Sequence, residues 1–218
     1  MSPQPLIIAM PKGRILKEAL PILAKAGLTP DPALADESAR ALKFASNLPQ
    51  VSLIRVRSFD VATFVAFGAA QIGVCGNDDL MEFDYADVYA PLDLGVGKCR
   101  LSIAGRADAA GSFDLARLSH IRIATKYPTI TRRWFAERGV QAECIKLNGA
   151  MELAPALGLS PYIVDLVSTG ATLKANGLVE IATIADISSR LIVNRTALKV
   201  RSAEISGWID RFRAAASG

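Results

Sequence analysis

The sequence predicts an α/β protein built from two domains. Apolar, strand-like runs alternate with segments of helical periodicity along the whole chain. Of the 218 residues, 51% are hydrophobic, which is enough for full cores. Two long extended segments, near residue 93 and after residue 176, indicate that the chain leaves the first sheet and later returns. We therefore expect a discontinuous domain I of residues 1–92 and 176–218, a domain II of residues 93–175, and a hinged cleft.

The first part of the chain reads as one α/β unit with a mostly parallel sheet. The run "LIIAM" is typical of a buried strand, and the spacing of Leu16, Leu20 and Leu23 predicts a helix that ends at Gly27. Ser58 is a candidate N-cap for a second helix. The remaining predicted elements of this part are a strand at 51–57, the helix at 58–69 and a buried strand at 70–76.

The second part predicts a further α/β unit. Its elements, in order, are one long extended strand at 92–105, a strand at 121–127, a helix at 128–139, a strand at 143–148, a helix at 150–158 and a strand at 162–167. Ligands of α/β proteins bind at the carboxyl ends of strands. The polar and glycine residues that follow these strands are therefore where we expect the functional site.

The C-terminal part is expected to return to domain I. Residues 178–194 are extended and β-branched, and residues 202–216 form an amphipathic helix with Ser202 as N-cap. The apolar positions of that helix are Ile205, Trp208, Ile209 and Phe212. This stripe indicates core packing or a subunit contact rather than a cofactor site.

Composition excludes several classes of protein. The 25 basic and 21 acidic residues give a net charge of +4 without a basic tail, so nucleic-acid binding is not indicated, whereas an anionic small molecule would suit a cleft where cations converge. No apolar run approaches the roughly 20 residues of a membrane span, and the start of the chain lacks a secretory signal. Three widely spaced cysteines argue against disulfides and structural zinc, which points to the cytoplasm.

A phosphate-binding loop is the clearest motif, in "YIVDLVSTGATL" at 162–173. A strand that ends in Ser168, Thr169 and Gly170 and enters a helix directs backbone N–H groups, hydroxyls and the positive end of the helix to one point. Such a point binds phosphate, and Thr172 adds a second hydroxyl in the first helical turn. Asp165 stands close enough to reach a sugar hydroxyl or a metal ion, so the motif predicts a ribose 5-phosphate pocket. The alternative, hydroxyls that cap a helix above a buried acid, stays open on these residues alone.

Cations are expected to converge on the same cleft. Arg57 comes first, because it stands at a strand end directly before the candidate cap Ser58. Arg55 would be the alternative if the strand boundary slips, since residues two apart face the same side of a strand. Lys12 and Arg14 surround Gly13 at a helix start, where positive charge opposes the helix dipole, which suggests an anionic ligand. For Gly76 and Asn77, lining the cleft and a structural turn are equally good interpretations.

Ordered motifs through nearly the whole chain resemble one family, that of ATP phosphoribosyltransferase. They are "IAMPKGRI", "RVRSFDVATFV", "IGVCGNDDL", "CRLSIA", "IATKYP" and "LNGAMELAPALGLSPYIVDLVSTGATLKANGL". The resemblance implies a fold like that of a type II periplasmic binding protein. It also implies transfer of the phosphoribosyl group of phosphoribosyl pyrophosphate to N1 of ATP, which releases pyrophosphate in the first step of histidine biosynthesis.

Site residues, metal and partners follow from the same resemblance. Ser168, Thr169, Gly170, Ala171 and Thr172 would cradle the 5-phosphate, Asp165 and Glu152 would hold the ribose, and Arg57 would serve the nucleotide and the leaving group. Magnesium would arrive on the substrate phosphates rather than in a protein site. The chain resembles the short form, which implies a homodimer within a hetero-octamer, with a regulatory subunit that resembles histidyl-tRNA synthetase.

A rival function is a non-catalytic two-domain protein that binds an anionic ligand. The absence of an export signal argues against an extracytoplasmic receptor. No general base is obvious, and none is needed if adenine N1 attacks through its lone pair. We expect His120 to be a loop or packing residue, and Cys75 has no neighbouring group that would activate its thiol.

Overall fold

The computed structural model describes residues 5–217, which form eleven strands and nine α-helices. The strands are β1 Leu6–Pro11, β2 Lys43–Phe44, β3 Val51–Val56, β4 Ile72–Gly76, β5 Val88–Asp93, β6 Cys99–Arg106, β7 His120–Thr125, β8 Gln141–Lys146, β9 Tyr162–Val167, β10 Leu178–Ile187 and β11 Ser189–Asn194. The helices are α1 Arg14–Lys25, α2 Ser58–Ala66, α3 Asn77–Phe83, α4 Ala107–Gly111, α5 Pro128–Ala136, α6 Leu153–Ala156, α7 Ala171–Ala175, α8 Arg195–Val200 and α9 Ser202–Ala216. Two short 3-10 turns lie at Pro32–Leu34 and Leu115–Arg117.

The first unit comprises the chain up to Gly97 and from Ser188 onward. Its six-stranded sheet has the order β2-β3-β1-β4-β11-β5, in which β1 pairs in parallel with β3 and β4. Helices α1 and α9 pack on one face, where Leu23 and Phe212 join Ile8 and Leu53 in the core. Helix α2 packs on the other face. The apolar stripe of the C-terminal helix is therefore core packing, as predicted.

The second unit is the single segment Lys98–Ile187. Its five-stranded sheet has the order β10-β6-β9-β7-β8. Strands β9, β7 and β8 are parallel, whereas β6 and β10 run antiparallel to their neighbours. Leu173 of α7 and Ala154 of α6 pack with Ala104, Ala124 and Ile163 of the sheet. Two α/β units, each with helices packed on its own sheet, confirm the predicted fold class.

Both sheets are mixed, and the prediction of mostly parallel sheets was wrong in this respect. The strands that enter and leave the second unit run antiparallel to those beside them. The extended segment 92–105 is not one strand, because β5 ends at Asp93 and β6 begins at Cys99 after a turn that contains Gly95 and Gly97.

The division of the chain differs from the predicted boundaries of 93 and 176. Strand β10 pairs with β6 along its length, from Leu178 opposite Arg106 to Ile187 opposite Cys99, so it belongs to the second unit. Only β11 returns to the first sheet, where it pairs with β4 and β5. The units therefore divide after Gly97 and after Ile187.

Helix boundaries also correct the sequence predictions. Ser58 and Ser202 are the first residues of their helices, and the N-cap positions belong to Arg57 and Arg201. The Ser58 hydroxyl donates instead to Asp79 Oδ2 at 3.2 Å. The helix expected at 150–158 is confined to Leu153–Ala156. Among residues 5–217, no helix combines the length and apolar character that a membrane crossing requires.

Candidate active site

A small cavity in the second unit lies at the carboxyl end of β9. Its volume is about 160 Å³. The lining residues are Glu152, Asp165, Leu166, Val167, Ser168, Thr169, Gly170, Ala171, Thr172 and Leu173. This set contains all seven residues that the sequence assigned to the ribose 5-phosphate, so the fold brings them together on one side of one sheet.

The turn between β9 and α7 depends on Gly170, which occupies the N-cap position with φ 76° and ψ 3°. Such left-handed backbone favours glycine, and a side chain there would strain it. The Thr169 hydroxyl accepts a hydrogen bond from Ala171 N at 3.3 Å. Within the described chain, the hydroxyls of Ser168 and Thr172 form no hydrogen bond with protein, and no side chain caps α7. Both hydroxyls are therefore available to a ligand.

Two carboxylates face the same cavity. Asp165 is half-buried and its Oδ1 accepts from Leu166 N at 2.8 Å. Glu152 is also half-buried and immediately precedes α6. Carboxylates beside a phosphate loop can accept hydrogen bonds from sugar hydroxyls or share a hard cation with the phosphate.

Sequence analysis did not single out Glu180 of β10, a carboxylate that is bonded to Ser102, the residue opposite Asp165. Glu180 accepts from Arg100 Nε at 3.0 Å and Nη2 at 2.8 Å, and from the Ser102 hydroxyl at 2.7 Å. The hydrogen bond from Arg100 is the largest cause that lowers the pKa of Glu180 from 4.5 to about 2. Ser102 stands opposite Asp165 in the β6–β9 pairing. The Arg100–Glu180 pair thus borders the sheet face that carries Asp165.

A larger cavity lies in the first unit, and its lining is rich in cations. It has a volume of about 880 Å³. Its charged residues are Lys12, Lys17, Arg40, Arg55, Arg57, Glu37 and Asp60, and its other lining residues are Gly13, Leu16, Ala35, Ala39, Leu42, Val56 and Phe64. Five basic against two acidic side chains make this cavity suited to an anion with several charges.

Arg57 occupies the position that the sequence predicted, at the end of β3 and the start of α2. It is exposed, and in residues 5–217 its guanidinium has no ion pair or hydrogen bond. Lys12 is exposed at the end of β1, and Gly13, with φ 85°, turns the chain into α1. Lys12 and Arg57 therefore reach the same cavity from two adjacent strands.

Three of the predicted site residues do not line either cavity. Arg14 is engaged with Glu18 at 3.6 Å and with the carbonyl of Gly97 at 3.5 Å. Gly76 is the N-cap residue of α3. Asn77 exchanges hydrogen bonds with Ser188, donating from its backbone N at 3.0 Å and accepting at Oδ1 at 2.8 Å. The structural interpretation of Gly76 and Asn77 is the one that these contacts favour.

Arg55 does not serve as the exposed alternative to Arg57. Its side chain is only 8% exposed, and it donates to backbone carbonyls of the segment that precedes β2. Burial raises the pKa of Cys75 well above its ordinary value, which leaves a protonated and unreactive thiol. His120 is exposed and lies 3.8 Å from Glu143.

Sequence analysis missed Lys17 and Arg40 as cations of this cavity. Lys17 lies one turn into α1 and pairs with Glu37 at 3.0 Å. Arg40 belongs to a segment without helix or strand, where no periodicity indicates which side chains meet. That Arg40 lines the cavity becomes clear only once residues 33–42 are folded against β3.

A profile of the ATP phosphoribosyltransferase family matches residues 57–214. The chain belongs to the ATP phosphoribosyltransferase family. It is 65% identical to the ATP phosphoribosyltransferase of Paramagnetospirillum magneticum over the full length of both chains. It is 67% identical to that of Rhodospirillum rubrum, over 96% of this chain and 92% of the relative.

Solved structures agree with this membership. The structure of the ATP phosphoribosyl transferase (HisG:HisZ) complex from Thermotoga maritima matches with a TM-score of 0.79 and 29% identity, over 97% of this chain and 98% of that chain. The periplasmic aliphatic sulphonate binding protein SsuA from Escherichia coli matches with a TM-score of 0.60 and 15% identity, over 99% of this chain and 70% of that chain. This second likeness shows the fold alone, and it confirms the predicted resemblance to periplasmic binding proteins.

The predicted reaction is confirmed by these relatives. The ATP phosphoribosyltransferase reaction joins ATP to phosphoribosyl pyrophosphate in the first step of histidine biosynthesis, and this chain is a glycosyltransferase that carries it out. The family generally depends on a divalent metal ion. Across the part of the chain that the structure covers, no group of three or more His, Cys, Asp or Glu side chains has the arrangement of a metal site.

Proposed function

We propose that the two cavities hold the two substrates separately. The cavity of the second unit takes the ribose 5-phosphate part of phosphoribosyl pyrophosphate, and the cation-rich cavity of the first unit takes the phosphates of ATP. The observation that carries this assignment is the β9–α7 turn, where Ser168 and Thr172 present free hydroxyls beside two carboxylates. Such a set matches a phosphorylated sugar, with donors for the phosphate and acceptors for the hydroxyls.

The roles of the residues follow from the charges that the reaction moves. The bond between the anomeric carbon and pyrophosphate breaks while adenine N1 supplies an electron pair to that carbon, so positive character develops on the sugar. Asp165 and Glu152 bind the ribose hydroxyls, and their negative charge favours a cationic sugar. Arg57 and Lys12 offset the negative charge of phosphates in the first unit. Because N1 attacks through a lone pair, positioning and electrostatics suffice without a general base.

The metal we propose is Mg²⁺, carried by the substrate phosphates. Mg²⁺ prefers oxygen ligands and is commonly held by one or two carboxylates together with phosphates and water. Asp165 and Glu152 are two carboxylates in one cavity that also contains the phosphate loop, so they fit this role. When bound, the ion neutralises phosphate charge.

The assembly we propose is a homodimer of this chain within a hetero-octamer that includes a regulatory subunit. The support is the Thermotoga maritima structure, which is a complex of HisG with HisZ and matches nearly the whole of this chain. A regulatory subunit that resembles histidyl-tRNA synthetase would convey inhibition by histidine. We place this assembly in the cytoplasm, where cysteines outside disulfides, such as the three of this chain, stay reduced.

A direct assay tests the proposal. We would mix the purified chain with ATP, phosphoribosyl pyrophosphate and Mg²⁺, with and without a HisZ-type subunit, and add pyrophosphatase to draw the reaction forward. We expect phosphoribosyl-ATP to form, formation to stop when Mg²⁺ is chelated, and the partner to raise turnover. Product formation that persists after chelation would contradict the role of Mg²⁺, and a mixture that never yields a stable complex would contradict the assembly.

A further inference from the structure

Arg55 lies beneath one wall of the first unit's cavity and holds that wall together. Its Nη1 donates to the carbonyls of Leu34 at 2.7 Å and Asp36 at 2.6 Å, and its Nη2 donates to that of Ala39 at 2.7 Å. A longer contact of 3.4 Å reaches Ala33. The guanidinium carbon lies 5.1 Å from the centre of the Phe44 ring, which favours the charge in this buried position.

The segment that Arg55 contacts is a loop whose own hydrogen bonds are local turns, such as that from Ala39 N to the Asp36 carbonyl at 3.2 Å. Residues 35–42 contain neither helix nor strand, and only the 3-10 turn Pro32–Leu34 precedes them. One buried side chain therefore supplies donors to carbonyls spread along the segment. The bond to the Leu34 carbonyl is buried, where an unpaired carbonyl is costly, so the hydrogen bonds from Arg55 favour one conformation of the segment.

This segment forms one side of the cavity and carries two of its charges. Ala35, Glu37, Ala39, Arg40 and Leu42 all line it. Arg40 directly follows Ala39, whose carbonyl accepts the hydrogen bond from Arg55 Nη2. The segment also contains an ion pair, Glu37 with Lys17, but both side chains are more than 60% exposed (69% and 65%), and exposed pairs contribute little.

We propose that Arg55 is a positioning residue for the ATP site, which acts by fixing segment 33–42 so that Arg40 is presented to the nucleotide phosphates. This inference rests on the proposed assignment of the cavity to ATP. The N–H groups of Arg55 donate to backbone carbonyls, so in this proposal Arg55 does not itself bind the ligand. Arginine is required because its planar fork reaches several carbonyls at once, which the single ammonium of lysine cannot do. A displacement of about 1 Å at a site can cost up to roughly 100-fold in rate, so a fixed wall matters for turnover.

A double-mutant cycle tests whether Arg55 acts through Arg40. We would measure kcat/KM for ATP in Arg55→Met, Arg40→Ala and the double variant. We expect each single change to lower kcat/KM by about tenfold and the double variant to fall no more than about twofold below the worse single variant. Effects that multiply would overturn the proposal, because they would show that the two arginines act independently.

Two further readouts separate positioning from a general loss of structure. Amide hydrogen exchange of residues 33–42 should accelerate in Arg55→Met and recover in part in Arg55→Lys, while affinity for ribose 5-phosphate, which reports on the second unit, stays within about twofold. Arg201→Met is the matched control, since Arg201 is a largely buried arginine of the same unit that pairs with Glu204. It should lower stability without changing kcat/KM for ATP.

The remaining outcomes are also decisive. If Arg55→Met does not fold, the same cycle is run with Arg55→Lys, and additivity there overturns the inference. If Arg40→Ala and Arg57→Ala both keep the wild-type kcat/KM for ATP, the assignment of the cavity to ATP fails. If those two variants are impaired while Arg55 variants are normal or additive, only the positioning role fails.

Discussion

At the scale of single residues, Arg55 of β3 and Arg57, which directly follows β3, differ in burial and in their protein contacts. Arg55 is buried and bonded to carbonyls, whereas Arg57 is exposed and has no protein partner within residues 5–217. The backbone is extended at Arg57 as it is in β3, so both side chains start on the same side, but the segment that folds over Arg55 buries only that residue. An exposed arginine without an ion pair or hydrogen bond in residues 5–217, beside a cation-rich cavity, is available to an anionic ligand.

Replacing Arg57 by Ala is expected to lower kcat about 100-fold, since loss of one positioned donor to developing negative charge typically costs this much or more. The melting temperature should hardly change, because the side chain is exposed and forms no ion pair or hydrogen bond within the described residues. Steady-state kinetics and thermal unfolding check both statements. Arg117→Ala is the control, because Arg117 is 87% exposed and lines neither cavity. Wild-type turnover in Arg57→Ala would contradict its catalytic role.

Replacing Thr169 by Tyr is expected to abolish binding of ribose 5-phosphate, because the added ring fills a cavity of only about 160 Å³. Isothermal titration with ribose 5-phosphate measures the effect directly. Thr169→Ser keeps the hydroxyl and should retain affinity within about threefold. Thr196→Tyr, at an exposed threonine of the first unit, should bind as the wild type does. Unchanged affinity in Thr169→Tyr would remove the phosphate-loop assignment.

At the scale of elements, the pairing of β6 with β10 is reinforced by ionic hydrogen bonds. Arg100 and Ser102 of β6 both donate to Glu180 of β10. Strand β10 is an edge strand, and its register shifts twice along β6. Such irregularities discourage further pairing at an edge, while the ionic pair fixes the register that remains.

Replacing Glu180 by Gln is expected to lower the free energy of unfolding by about 1 kcal/mol at neutral pH, a value discounted for the partial exposure of the pair. Because folding lowers the pKa of Glu180 to about 2 from 4.5, its contribution is present above pH 4.5 and is lost as the pH falls toward 2. Urea unfolding of both proteins across this range checks the sign. Glu137→Gln, at a weak exposed pair, is the control. A difference between wild type and variant that does not shrink at low pH would contradict this account.

At the scale of the whole molecule, local sequence patterns predicted most helices and strands. They failed where the position of an element depends on pairing with a segment far away along the chain. The strands at β1, β3, β4 and β9 and the amphipathic helix α9 carry their own periodicity, so their sequence was sufficient. The destination of β10 depends on its pairing with β6, which lies far away along the chain. Arg40 was not predicted to line a cavity for the same reason, whereas residues 168–172 could be predicted to lie together because one turn contains them all.

The second unit is one continuous piece of the chain, and its first and last strands, β6 and β10, are paired with each other. Cys99 and Ile187, at the two ends of this unit, are partners in the sheet. Residues 98–187 therefore begin and end at nearly the same place. In the first unit the two crossing points also lie close together, since Ser189 N donates to Val96 O at 2.8 Å. A short linker between Gly97 and Ser188 would therefore be long enough to replace the second unit. Chains of this plan can gain, lose or exchange such a unit by a single insertion.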